Sequence, residues 1–223
     1  MATEHVLRTG AGITTTDATV AITYQRTTVI SDEVSQWIKE GRVFSAIEGA
    51  LTTPVTNAAT DLVRQQPNML IRVPATVVIV PLIAYWVPEA TTAVAQMLVS
   101  VCSNDPGVAN LTAATPVNVN TRYALNNSMV TAYITPTGSS GTAPTNVADL
   151  YREYHQADRD AITGAPTPPL IYNPRIGHGQ EACVGNNITT QAFMVYAVAG
   201  TTGTNTGYVY AAWAEFTYDE YYG

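Results

Sequence analysis

Apolar residues in this chain gather in short runs with the period of β-strands, and the clearest of these lie from Met69 onward. Met69 to Val73 and Val77 to Val87 are rich in β-branched and aromatic side chains and flank the turn Pro74-Ala75, which predicts two strands. In the longer run both faces are apolar, the pattern of a strand covered on both sides. Pro81 within it cannot donate to a ladder and marks an edge position or a bulge. Ala93 to Cys102 alternates, with Ala93, Ala95, Met97, Val99 and Val101 on one side and Gln96, Ser100 and Cys102 on the other. Met129 to Ile134 predicts a shorter strand, followed by a Gly-, Ser- and Pro-rich surface loop from Thr135 to Thr145. Two closing strands are expected at Gln191 to Ala199 and Tyr208 to Tyr218, joined by a Gly- and Thr-rich linker. In the last strand Tyr208, Tyr210, Ala212, Ala214, Phe216 and Tyr218 share one face, and Val209, Ala211, Trp213, Glu215 and Thr217 share the other. Both faces are mostly apolar, which predicts cover on both.

Helical signals are fewer. Ser31 reads as an N-cap, with Asp32 and Glu33 in the first turn, Val34, Trp37 and Ile38 on one face and Gly41 as the stop. A second short helix is expected from Ala58 to Gln66, ended by Pro67. The helical spacing of Val147, Leu150, Tyr151 and Tyr154, with Asp149, Arg152, Glu153 and Gln156 on the far side, predicts a third, lying across a sheet edge. Residues 1–18 are short of apolar side chains and read as an extended N-terminal arm; 19–223 read as one domain, since no linker or internal repeat divides them. Many strands, turns of Gly, Pro and Asn and no βαβ rhythm together predict an all-β fold. The expected form is an antiparallel β-sandwich of jelly-roll topology with one or two short peripheral helices.

Composition sharpens the picture. With 223 residues the chain can bury a sizeable core without disulfides or a metal. Hydrophobic residues make up 46% and charged residues only 12%, about half the usual charged share for a soluble domain. A neutral surface of Thr, Ala, Asn and Gln suits burial against neighbouring subunits, where ions would have to be desolvated. The formal net charge is −7, and Lys39 is the only lysine. Scattered arginines on an acidic chain are poor material for nucleic-acid binding, which draws its affinity from clustered positive charge. Arg8, Arg26, Arg64, Arg72, Arg122 and Arg175 read instead as planar clamps at turns or subunit contacts. The first residues form no secretory signal, and the run Val77 to Val87 is too short to cross a bilayer, so synthesis in the cytosol is expected, without a membrane partner. Cys102 and Cys183 are expected as two free, buried thiols.

Candidate chemistry is sparse. The three histidines are His5, His155 and His178. His178 with Glu181 is the best acid/base or metal pair by spacing, yet no second histidine stands near it, and a loop histidine is the simpler reading. His155, Asp158 and Asp160 read as a solvated end. The sequence has no Gly-x-Ser-x-Gly elbow, no phosphate-binding Gly-rich loop with Lys and no Cys-x-x-Cys pair. No catalytic, metal or cofactor site is therefore assigned, and the chain is not expected to be an enzyme. The tail Tyr218-Asp219-Glu220-Tyr221-Tyr222-Gly223 is the most suggestive patch, because tyrosines offer contact area with a polar tip. Candidate interface residues are Arg8, Tyr218, Tyr221 and Tyr222.

The segment from Arg72-Val73-Pro74-Ala75-Thr76 to Val80-Pro81-Leu82, with the aromatic strand Gly207-Tyr208-Val209-Tyr210-Ala211-Ala212-Trp213-Ala214-Glu215 near the end, resembles the small jelly-roll virion proteins of tailed bacteriophages over residues 69–218. The resemblance implies a capsid decoration or cement protein, located in the virion, commonly a homotrimer, with the major capsid protein and copies of itself as partners. It carries over no catalytic residue. Two other expectations stand beside it: a jelly-roll major capsid protein, for which the arm is short of basic residues, and a carbohydrate-binding adhesin or glycosidase-like sandwich.

Overall fold

None of the predicted strands can bury its apolar face alone, so strands distant in sequence must pair. The computed structural model describes residues 6–7, 12–16, 19–23, 27–28, 33–49, 53–57, 62–91, 95–108, 111–123, 126–134, 141–156, 169–199 and 205–223. The chain divides into two units, Met1–Gln36 and Trp37–Gly223. In the first, β1 (Val6–Leu7) pairs with β4 (Thr27–Thr28) and β2 (Gly12–Thr16) with β3 (Thr19–Thr23), all antiparallel. Helix α1 (Glu33–Lys39) follows over the expected apolar face and ends before Gly41 at φ +73°, while Ser31 and Asp32 of the expected cap lie outside the described residues.

Residues 37–223 carry β5 (Val43–Glu48), β6 (Val55–Asn57), β7 (Met69–Val73), β8 (Val77–Thr91), β9 (Ala95–Asn104), β10 (Thr112–Ala114), β11 (Val117–Asn118), β12 (Thr131–Ile134), β13 (Ala148–Gln156), β14 (Leu170–Tyr172), β15 (Gln191–Ala199), β16 (Asn205–Thr217) and the short helix α2 (Tyr218–Tyr222). Two antiparallel sheets result, one ordered β10-β12-β7-β15-β9-β13 and the other β11-β5-β16-β8-β14, with β6 on the start of β16. Among the principal strands β5, β7, β8, β9, β13, β14, β15 and β16, the first pairs with the last, the second with the seventh, the third with the sixth and the fourth with the fifth. That nested pairing is one long hairpin rolled into two sheets, the jelly roll expected from the sequence.

Between the sheets lie Phe44 and Ala46 of β5, Met69, Ile71 and Val73 of β7, Trp86 of β8, Leu98 of β9, Phe193 and Val195 of β15, and Val209, Ala211 and Trp213 of β16, all buried. The outward residues of the first sheet form a second core: Leu70, Val99, Val101, Met194, Tyr196 and Val198, with Val108, Leu62 and Leu111 of the loops packed on them. Loops hold that cover down by specific bonds. The Tyr196 hydroxyl donates to the Arg64 carbonyl at 2.9 Å, Arg64 pairs with Asp149 at 2.8 Å, and Arg72 donates to Asp105 at 2.8 Å. The apolar side of the alternating strand, Met97, Val99 and Val101, thus faces this second core, while Leu98 and Ser100 face inward.

Pro81 marks a bulge. Trp213 lies opposite Pro81 and Ala212 opposite Ile83, so Leu82 is the extra residue, and the inward set of β8 changes from Val77 and Ile79 to Ala84 and Trp86. Three expectations require correction. The amphipathic helix over Val147 to Gln156 is the edge strand β13. Its pairing with β9 skips Leu150, a bulge that turns both Leu150 and Tyr151 toward the core and so imitates helical spacing. Residues 62–66 form a turn rather than the end of a helix, because Leu62 is drawn onto the second core and Asn68 accepts from the Ala197 N–H at 2.7 Å. The thiols are free, but Cys183 is exposed and Cys102 only half-buried. His5, Arg8, residues 58–61, residues 135–140 of the Thr135 to Thr145 loop, Asp158, Asp160 and linker residues 200–204 lie outside the described residues.

Candidate assembly surface

The sequence Thr217-Tyr218-Asp219-Glu220 contains the S/T-x-x-E pattern of a capping box, and the tail is a helix for that reason. The Thr217 hydroxyl accepts from the Glu220 N–H at 3.3 Å, and the Glu220 carboxylate accepts from the Thr217 N–H at 2.9 Å. The same carboxylate accepts from the two terminal nitrogens of the Arg42 guanidinium, Nη1 and Nη2, at 3.2 Å, which ties α2 to the segment before β5. Hydrogen bonding to Arg42, then to the Thr217 N–H, holds the Glu220 carboxyl down to about 2. Because this acid is depressed in the folded state, its contribution is present above its ordinary value of 4.5 and is lost as pH falls toward 2.

Helix α2 places its tyrosines on an aromatic cluster. Tyr221 packs on Phe216 with ring centroids 5.4 Å apart, Trp37 meets Phe216 edge-on at 5.2 Å, and Arg42 lies over Phe216 at 5.2 Å. Arg175 lies over Trp37 at 5.3 Å, and the Tyr221 hydroxyl stands 2.6 Å from the Cys183 sulfur. Tyr222 packs at 4.8 Å against both Tyr218 and Tyr221 and remains 55% exposed. The structure therefore brings Tyr218, Tyr221 and Tyr222 together, with Tyr221 sealing the end of the second sheet and Tyr222 presented to solvent; Arg8 falls outside the described residues. Thr217→Ala is expected to fray α2 and lower stability by about 1 kcal/mol. An unchanged unfolding midpoint in denaturant would show that Arg42 alone holds the helix.

A second aromatic surface lies on the outer face of the same sheet, at the other end of β16. In one register row stand Ile47, Tyr210, Tyr85 and Ile171. The rings of Tyr85 and Tyr210 stack at 4.8 Å and 16°, and Tyr208 meets Tyr85 edge-on at 6.3 Å. Ile47 is 52% exposed, and Val117 at the sheet edge 60%. Local pattern finds Tyr208 and Tyr210 on one face, but Ile47 and Tyr85 join them only through pairing across the sheet.

His178 is exposed in a turn where its N–H donates to the Asn173 carbonyl at 3.0 Å and its own carbonyl accepts from the Asn173 N–H at 2.8 Å; Glu181 is exposed beside it. Among the described residues no three His, Cys, Asp or Glu side chains gather as metal ligands, and no helix is long and apolar enough to cross a membrane. Among the described residues two carboxylates, Glu48 and Glu215, lie buried. Glu215 accepts from the Ser128 hydroxyl at 2.5 Å, the Met129 N–H at 2.6 Å and the Trp213 Nε1–H at 2.8 Å, while burial pushes its proton affinity up against those bonds. Glu48, by contrast, has an oxygen with no hydrogen-bond partner among the described residues. No protein-family model and no curated protein matches the chain.

Proposed function

We propose that this chain is a virion structural protein, a capsid decoration or cement protein that binds the major capsid protein and copies of itself as a homotrimer. The observation that carries the reading is the pair of exposed aromatic surfaces, the Tyr222 cluster and the Ile47–Tyr210–Tyr85 row, on a sandwich whose interior is filled by Trp86, Trp213, Tyr172 and Phe193. Tyrosine with an apolar surround is the composition of contact surfaces, and the low charge of the chain favours their burial. Jelly rolls also serve as lectin and cupin domains, so the fold by itself selects none of these. A jelly-roll major capsid protein is the second reading, favoured by the complete nested pairing of eight strands.

The test is the mass in solution together with binding to particles. A trimer that rebinds shells stripped of it supports the decoration reading. Spontaneous closed shells of the purified chain would transfer the assignment to the major capsid protein. A stable monomer that ignores shells and binds saccharides would overturn both. Tyr222→Ala is expected to leave the unfolding midpoint unchanged and to weaken shell binding by about tenfold or more, as truncation of an aromatic anchor does.

A further inference from the structure

Strand β5 alternates inward residues Phe44, Ala46 and Glu48, so its last inward position, between the sheets, is an acid. Glu48 is 3% exposed, and its Oε2 has no hydrogen-bond partner among the described residues. The backbone around it is closed tightly. Gly49 turns at φ +81°, and a Cβ there would stand 2.8 Å from Val55 and 2.9 Å from the Gly207 carbonyl. Beside Glu48 in the sheet β16 presents Val209, beyond which β8 presents Trp86, while β6 presents Val55 against Gly49. Among the described residues no charged or titratable group facing Glu48 shifts its titration; burial alone pushes its carboxyl up to about 8. A neutral acid can be left with one weak acceptor unmade, whereas a carboxylate whose Oε2 is buried without a donor is costly.

We propose that Glu48 is a proton-operated latch: its buried carboxyl seats the end of β5 between the sheets while protonated, and ionisation releases that end of the roll. The sign follows from linkage. The unfolded side chain loses its proton near 4.5 and the folded one near 8, so between these values the folded state holds one proton more and stability falls as pH rises. Below the window both states are protonated, and above it both are ionised.

The experiment compares the full chain with Glu48→Gln in denaturant unfolding from pH 4 to pH 10, so that every other titration cancels in the ratio of unfolding constants. The wild-type to variant ratio is expected to rise about tenfold per pH unit from about pH 5 to pH 8 and then level off. A ratio independent of pH overturns the latch, and Glu48→Leu supplies the same comparison if the amide fails to fold. Amide exchange separates a latch from a uniform loss of stability. Protection at Val209 and Ala211 should report an opening free energy smaller than that of global unfolding and fall with pH relative to Glu48→Gln, while β15 exchanges only at the global value; exchange of Val209 and Ala211 at the global value as well would overturn the local release.

Discussion

Glu215→Ala is expected to lower the unfolding free energy by about 4 kcal/mol, measured in denaturant at pH 7. The carboxylate is 1% exposed and receives three donors from two distant parts of the chain. Removing it leaves the Trp213 Nε1–H buried without an acceptor, at a cost of about 1–3 kcal/mol, and takes the part-buried bond of the Met129 N–H and the packing of the side chain with it. Ser128 suffers less, because its hydroxyl already lies 3.1 Å from the Val130 carbonyl and can turn to it. Glu215→Gln should recover about half the loss, since one amide oxygen remains while the amide nitrogen meets a donor. A loss under about 1 kcal/mol for the alanine variant would mean that the segment before β12 opens to water, and that Glu215 does not clamp it.

Much of this architecture is legible in the sequence, and the failures have physical causes. The strands Met69–Val73 and Gln191–Ala199 end where the pattern placed them, because turn residues bound a β-branched or aromatic run on both sides. Pro81 signals an edge position or a bulge because a missing donor constrains the ladder wherever it falls, and the structure has the bulge. The run Val147 to Gln156 imitates a helix because period-counting assumes an uninterrupted strand, and one extra residue at Leu150 sets two neighbours on the same face. The nested strand order is a global property; no local pattern states that the first strand will lie beside the last.

The candidate surfaces divide in the same way. Tyr218, Tyr221 and Tyr222 are a cluster in sequence and remain one in space. Their supports, Arg42, Trp37 and Arg175, come from elsewhere in the chain, and only the Thr217–Glu220 capping pattern gave a local signal that the tail is helical. The two buried acids had a signal too. Glu215 shares a face with Val209, Ala211 and Trp213, and Glu48 shares one with Phe44 and Ala46, so a period-2 reading places each among core residues. An acid at such a position is either a clamp or a source of strain, and which of the two depends on donors that arrive from other strands.

Trp213 tests the clamp from its other side. Its ring is fully buried on the central strand β16, between Phe44 on β5 and Pro81 on β8, and its Nε1–H ends on Glu215. Trp213→Ala is expected to cost about 3–5 kcal/mol through the cavity it leaves. Trp213→Phe keeps most of the ring and deletes the donor, so its cost should be about 1–2 kcal/mol, the worth of a hydrogen bond to a carboxylate with slight loss of packing. The informative quantity is the coupling. In the Glu215→Ala background the indole N–H is already an orphan, and replacing Trp213 by Phe removes that orphan instead of creating a new deficit. The double variant is therefore expected to be more stable than the sum of the single losses predicts, by about 1–3 kcal/mol in a double-mutant cycle. Additive losses would show that the indole and the carboxylate act independently, and the stability assigned to the Glu215 clamp would then belong to Met129 and Ser128 alone.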